Sequence, residues 1–111
     1  MARPTKVRTV DFFPEDTYFT PVGKQQCTLK EINLKLEELE AMRLKDIESL
    51  SQEECAKKMN VSRQTFQNII DTARQKVAIA LTQGHAIRID GGNIEQNFAN
   101  LNVLTVEMSM K

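Results

Sequence analysis

From Leu34 onward the apolar positions fall at a helical spacing. Leu36, Leu39, Met42 or Arg43, Leu44 and Ile47 recur at intervals of three and four, while Glu37, Glu38, Glu40, Lys45 and Glu48 occupy the other side. That period predicts an amphipathic first helix over about 36–47, its glutamates on an exposed face. Ser51 then opens Ser-Gln-Glu-Glu, a capping box in which the Ser51 hydroxyl accepts from the Glu54 amide while the Glu54 carboxylate reaches back. A short second helix is expected over about 52–59, apolar at Cys55, Ala56 and Met59 and ended by Asn60, which tolerates the left-handed conformation. Ser62 is the next N-cap. In the third helix Phe66, Ile69, Ile70, Ala73, Val77, Ala80 and Leu81 form a single stripe to be buried, leaving the opposite face free.

The flanks read differently. Residues 8–23, RTVDFFPEDTYFTPVG, mix β-branched and aromatic residues with Pro14, Pro21 and Gly23, which suits short extended pieces set off from the core as an arm. AIRIDGG, residues 86–92, alternates like a short strand that ends in a turn and can pair with the arm. The apolar NVLTVEM run near the C-terminus is a second strand candidate. The chain thus divides into an extended basic N-terminal arm with short strands (1–33), a helix-turn-helix domain (34–83) and a C-terminal strand and tail (84–111). The expected fold class is mainly α: a three-helix, helix-turn-helix domain with short flanking β-strands.

A short helix, a tight turn and a longer helix make the helix-turn-helix plan, and the residues meet its steric needs. Ala56 is small where the helices approach, Asn60 makes the turn, Val61 plugs it, and Phe66 with Ile69 pack the third helix on the second. The outward positions at the start of the third helix are then Arg63, Gln64, Gln67, Asn68 and Asp71. In a major groove, Arg pairs with guanine and Gln or Asn with adenine in bidentate fashion, each worth roughly 1–3 kcal/mol of discrimination. Ser62 and Thr65, with Ser51 and Gln52 at the preceding helix start, are candidates for phosphate oxygens. Lys57, Lys58, Arg74 and Lys76 are candidates for flanking phosphates, and Arg3, Lys6 and Arg8 for an arm on the DNA backbone or in a minor groove. The plainer alternative is a solvated polar helix face.

Charge sharpens this picture. The formal net charge is zero, but residues 1–10 hold three bases and no acid, residues 11–50 nine acids against five bases, and residues 51–81 five bases against three acids. Positive charge therefore concentrates on the arm and the helix-turn-helix. A chain of 111 residues accommodates one small domain with tails. With Cys27 and Cys55 the only cysteines and His85 the only histidine, a four-ligand zinc site within one chain is excluded and free thiols are expected. No cofactor is implied. No apolar run approaches the roughly 18 residues of a membrane span, and MARPTKVR lacks the apolar core of a secretory signal, so a cytoplasmic protein without membrane contact is expected.

The segments MARPTKVRTVDFFPEDTYFTPVG, LKLEELEAMRLKDIESLSQEECAKKMNVSRQTFQNIIDTARQKVAIAL and GHAIRIDGGN closely resemble the small prokaryotic proteins, predicted to bind DNA, that are grouped as domain-of-unknown-function family one-thirty-four. The helical part is also similar to region four of bacterial sigma factors, a likeness that implies SRQTFQN is the start of the recognition helix. Cys55 stands where that family usually has a small apolar residue and Asn60 where it usually has glycine; both are sterically tolerable. The tail beyond residue 93 lies outside the resemblance.

The expected function is a sequence-specific DNA-binding transcriptional regulator acting without catalysis, with double-stranded DNA as partner and a homodimer on a two-fold site. The expected dimer contact is the arm with the C-terminal strand candidates. The alternative is a sigma-like interaction module docking on RNA polymerase or another partner through its acidic first helix. An enzyme is disfavoured, because His85 has no adjacent cysteine or acid and no glycine-rich phosphate loop is present.

Overall fold

A computed structural model of the chain describes residues 7–23, 29–92 and 94–96. In chain order the elements are β1 (Arg8–Val10), β2 (Tyr18–Phe19), β3 (Glu31–Leu34), α1 (Leu36–Met42) continuing as a π-helical segment (Arg43–Ile47), α2 (Gln52–Lys58), α3 (Arg63–Gln83), β4 (Ala86–Ile89) and β5 (Ile94–Gln96). The fold is mainly α with small flanking sheets, as the apolar spacing predicts. Cys27 and the NVLTVEM strand candidate lie outside the described residues.

Local chemistry sets the helix ends. At α1 the Glu38 carboxylate accepts from the Lys35 amide at 2.9 Å. At α2 the Ser51 hydroxyl accepts from the Glu54 amide at 3.1 Å and the Glu54 carboxylate accepts from the Ser51 amide at 3.0 Å, the reciprocal capping box. Those bonds to Ser51 hold the Glu54 carboxyl below its usual pKa. A depressed folded-state pKa stabilises the native state at pH values above the ordinary glutamate range, and that stability is lost as pH falls through the folded value. Ser51→Ala is expected to cost about 1 kcal/mol, typical of a lost N-cap. Thermal melts of the variant at neutral pH should show that deficit, while the Ser51 amide that alanine retains still donates to the Glu54 carboxylate.

Two positions of the predicted stripes are corrected. Ile47 is 74% exposed and Leu81 75%. The Glu48 amide donates to the Arg43 carbonyl at 3.0 Å, five residues back, so the turn is widened by one residue and carries Ile47 off the stripe. Ser49, at φ 59°, closes the segment. Leu81 lies in the last turns of α3, where buried Ala80 faces the sheet side and Leu81 edges an open groove with Phe19, Pro21 and Ile87.

β4 is the centre of a three-stranded sheet, antiparallel to β2 (Tyr18 opposite Arg88) and parallel to β3 (Leu34 opposite Ile89). The whole helical unit is therefore the crossover between two parallel strands, and the sheet ties its ends together. Leu34, Ile89 and Ala73 form the core between sheet and α3. β1 pairs in parallel with β5. Both pairings join the arm to a strand that follows α3: β2 of the arm lies on β4, as the alternation of AIRIDGG allows, and β1 on β5.

The expectation of an arm apart from the core fails for residues 8–11. Val10 is fully buried, the Thr9 amide donates to the Met59 carbonyl at 3.0 Å, and the Asp11 amide donates to the Glu40 carboxylate at 2.9 Å. The glutamates of α1 are a second correction. Glu37, Glu38 and Glu40 are buried, at 7%, 5% and 2% exposure, because α1 is covered on both sides. Each meets a base: Arg8 at 3.5 Å, Lys76 at 2.8 Å and Arg43 at 2.9 Å respectively. Glu48 stays at the surface, as expected.

Candidate nucleic-acid interface

α2, the turn after it and the first half of α3 are built around one apolar cluster. Ala41, Leu44, Cys55, Ala56, Met59, Phe66, Ile69 and Ile70 are buried together, with Leu50 and Val61 packed against them. Ala56 leaves room where α2 approaches α3, and Phe66, fully buried, fills it. The turn is a Schellman motif: Asn60 adopts φ 58°, its amide donates to the Lys57 carbonyl at 3.1 Å, and the Val61 amide donates to the Ala56 carbonyl at 3.0 Å. Val61, whose side chain returns to the core, then hands the chain to Ser62. The Ser62 hydroxyl caps α3 by accepting from the Thr65 amide at 3.1 Å. Cys55 is a free, buried thiol whose pKa burial pushes up, so it lacks the thiolate character of a reactive cysteine.

This packing presents the beginning of α3 outward. Arg63, Gln64, Asn68 and Asp71 are exposed and Gln67 and Thr65 half-buried; no acid lies in the first turn. Gln52, half-buried on α2, joins them: its Oε1 accepts from Arg63 Nε at 3.1 Å and its Nε2 donates to Gln67 Oε1. Gln67 Nε2 in turn donates to Asp71 Oδ1 at 2.8 Å, and Gln64 Nε2 donates to Asn68 Oδ1 at 3.1 Å. Ser62 and Thr65 bond each other through their hydroxyls at 2.9 Å, and Ser51, exposed, is engaged as the α2 cap. Lys57 and Lys58 are exposed at the end of α2.

Other candidates are turned elsewhere. Arg74 reaches across to Asp46 at 2.5 Å, a pairing that raises its pKa and neutralises its charge locally. Lys76 bonds Glu38 and the Asn33 carbonyl. Arg8, with a side chain only 14% exposed, faces Glu37. Arg3 and Lys6 lie outside the described residues. Sequence reasoning placed Gln52 only as a phosphate contact and missed its bridge to α3, as it missed the Asp46–Arg74 pair. Both connect residues whose proximity depends on helix packing, and nothing in their local sequence marks them.

Among the described residues no cluster of three His, Cys, Asp or Glu side chains could hold a metal, and no helix is long and apolar enough to cross a membrane. His85 Nε2 contacts Gln83 at 3.1 Å.

The comparisons with known proteins extend over most of the chain. The family model for "Protein of unknown function DUF134" matches residues 1–97. Among similar proteins, a "UPF0251 protein" of Clostridium tetani is 66% identical over 107 residues, which are 96% of this chain and 73% of the relative. A "UPF0251 protein" of Clostridium beijerinckii is 73% identical over 93 residues, 84% of this chain and 63% of the relative. No solved structure matches the chain. With the match running through every described element, from β1 to β5, the chain belongs to the family described as protein of unknown function DUF134.

Proposed function

We propose that this chain is a sequence-specific DNA-binding protein that regulates transcription by inserting the start of α3 into the major groove. The observation that carries this reading is the acid-free first turn of α3, held outward by the buried Phe66 contact and bearing Arg63, Gln64, Gln67 and Asn68 in a hydrogen-bonded set. Arg, Gln and Asn are the side chains whose donors and acceptors match base edges, and an acid in the first turn would be repelled by phosphate. The likeness to sigma region four supports the same orientation of α3. One such unit covers a small interface, so the protein acts as a homodimer on a two-fold site. The work is binding, with no catalytic step and no cofactor, and its place is the cytoplasm.

The competing idea of an interaction module loses its surface. Glu37, Glu38 and Glu40, through which such a module would dock on polymerase, are buried and paired.

Zero net charge means that affinity rests on local bases. Lys57 and Lys58 stay at the surface beside α3, while Arg74 and Lys76 are paired with acids. Binding of a mixed-sequence duplex, titrated between about 50 and 200 mM salt, should weaken as salt rises. Replacing both Lys57 and Lys58 by alanine should make the log–log slope shallower by about 0.9 for each phosphate no longer neutralised. Binding that ignores salt, or no binding at the lowest salt, would contradict the proposal.

A further inference from the structure

We propose that Gln52, on α2, is a positioning residue that holds Arg63 as the guanine reader of this interface, and that Gln67 is a strut in the same support instead of a base reader. This rests on the DNA-binding reading above and adds to it a division of labour and a base.

The inference comes from the direction of the hydrogen bonds. A guanidinium can only donate, and the Asp71 carboxylate is the accepting end of the chain. Between them Arg63 Nε donates to Gln52 Oε1 at 3.1 Å, Gln52 Nε2 donates to Gln67 Oε1, and Gln67 Nε2 donates to Asp71 Oδ1 at 2.8 Å. The donor at one end and the acceptor at the other fix which way each amide faces. Gln67 thus has both its oxygen and its nitrogen engaged inside the protein. Each of the two groups keeps a free lone pair or hydrogen, but the bonds to Gln52 and Asp71 fix the plane of the amide, and turning that plane onto an adenine edge would break them.

Arg63 is in the opposite position. Only Nε is committed, and the two terminal NH2 groups are the fork that matches O6 and N7 of guanine. An arginine side chain has a large rotamer entropy, and anchoring it at Nε before DNA arrives reduces the ordering that binding requires. Gln52 supplies that anchor from a different helix, so the support depends on the α2–α3 packing and survives only in the folded protein.

The test is selection of duplexes from a randomised pool, followed by affinities for the selected motif and its single-base variants. It uses the wild type, Arg63→Ala, Gln52→Met and Gln52→Glu, with thermal midpoints measured alongside. Arg63→Ala should lower the preference for guanine at one position by about 5- to 150-fold. Gln52→Met, similar in length but unable to bond, should lower the preference at that same position by about 2- to 12-fold, with other positions and the thermal midpoint unchanged. Gln52→Glu still accepts from Arg63 and should keep the guanine preference while weakening all sequences alike through its charge. Gln52→Met weakening every sequence equally would make Gln52 a phosphate contact and overturn the proposal. A wild-type motif without a guanine that depends on Arg63 would overturn it while leaving DNA binding intact. Failure of the wild type to enrich any motif would remove the DNA reading and this inference together.

Discussion

Phe66→Ala is expected to destabilise the fold by about 3–5 kcal/mol, the range for deleting a buried phenyl ring where the surroundings collapse only partly. Phe66 has no exposed surface and lies in one cluster with Ala41 and Leu44 of the first helix, Cys55, Ala56 and Met59 of the α2 region, and Ile69 and Ile70 of its own helix. Several of those neighbours are small or held by backbone turns, so they cannot move in to fill the space. A small domain has only about 5–15 kcal/mol in total, so the variant should be partly unfolded at physiological temperature. Urea unfolding should show the midpoint falling at an unchanged m-value. A loss below about 1 kcal/mol would mean that the site repacks and that Phe66 is not the joint between α2 and α3.

Glu40→Ala is expected to cost about 3 kcal/mol, the lower end of what breaking a buried ion pair costs. The carboxylate is 2% exposed, accepts from Arg43 Nε at 2.9 Å and Nη2 at 3.0 Å, and also takes the Asp11 amide at 2.9 Å. Its removal leaves a guanidinium and a backbone donor without their partner. The lower end applies because Arg43 is 20% exposed, retains Glu48 at 3.3 Å, and lies over the Phe12 ring, 5.6 Å from its centroid. Replacing both members, Glu40→Met with Arg43→Met, should recover part of the loss, since an apolar pair of similar volume escapes the desolvation penalty. Denaturant titrations of the two single variants and the double variant give the coupling. Additive losses would show that Glu40 and Arg43 act independently.

The features legible in the sequence are those decided within a few residues. Ser51 caps α2 and Ser62 caps α3 through amides three positions on, and Asn60 makes the turn by its own tolerance of positive φ. The spacing of Cys55, Ala56 and Met59 against Phe66, Ile69 and Ile70 then fixes how the two helices pack. What could not be read depends on partners far away in the chain. Glu37, Glu38 and Glu40 have the pattern of an exposed face, and only the arrival of β1, with Arg8 and the Asp11 amide after it, and of Lys76 on α3 makes them interior groups; the Glu40–Arg43 pair itself is local, three residues apart. The β3 strand, EINL, is too short to display its alternation and reads as the approach to a helix. The candidate site divides along the same line. The outward residues of α3 follow from the helix period, while the capture of Arg74 by Asp46 and the bridge from Gln52 follow from the fold.

The measurement that bears most directly on the central claim is selection of duplexes from a randomised pool at physiological salt, by the wild type and by a variant with Arg63, Gln64 and Gln67 all replaced by alanine. All three lie on the outer side of α3, and none is part of the buried cluster, so the variant should fold. The wild type is expected to enrich one motif, arranged as two related halves, and the variant to lose it while its thermal midpoint stays close to that of the wild type. Enrichment of the same motif by the variant would show that Arg63 and Gln64, with the support that Gln67 lends, do not read DNA, and a wild type that enriches nothing would contradict sequence-specific binding itself.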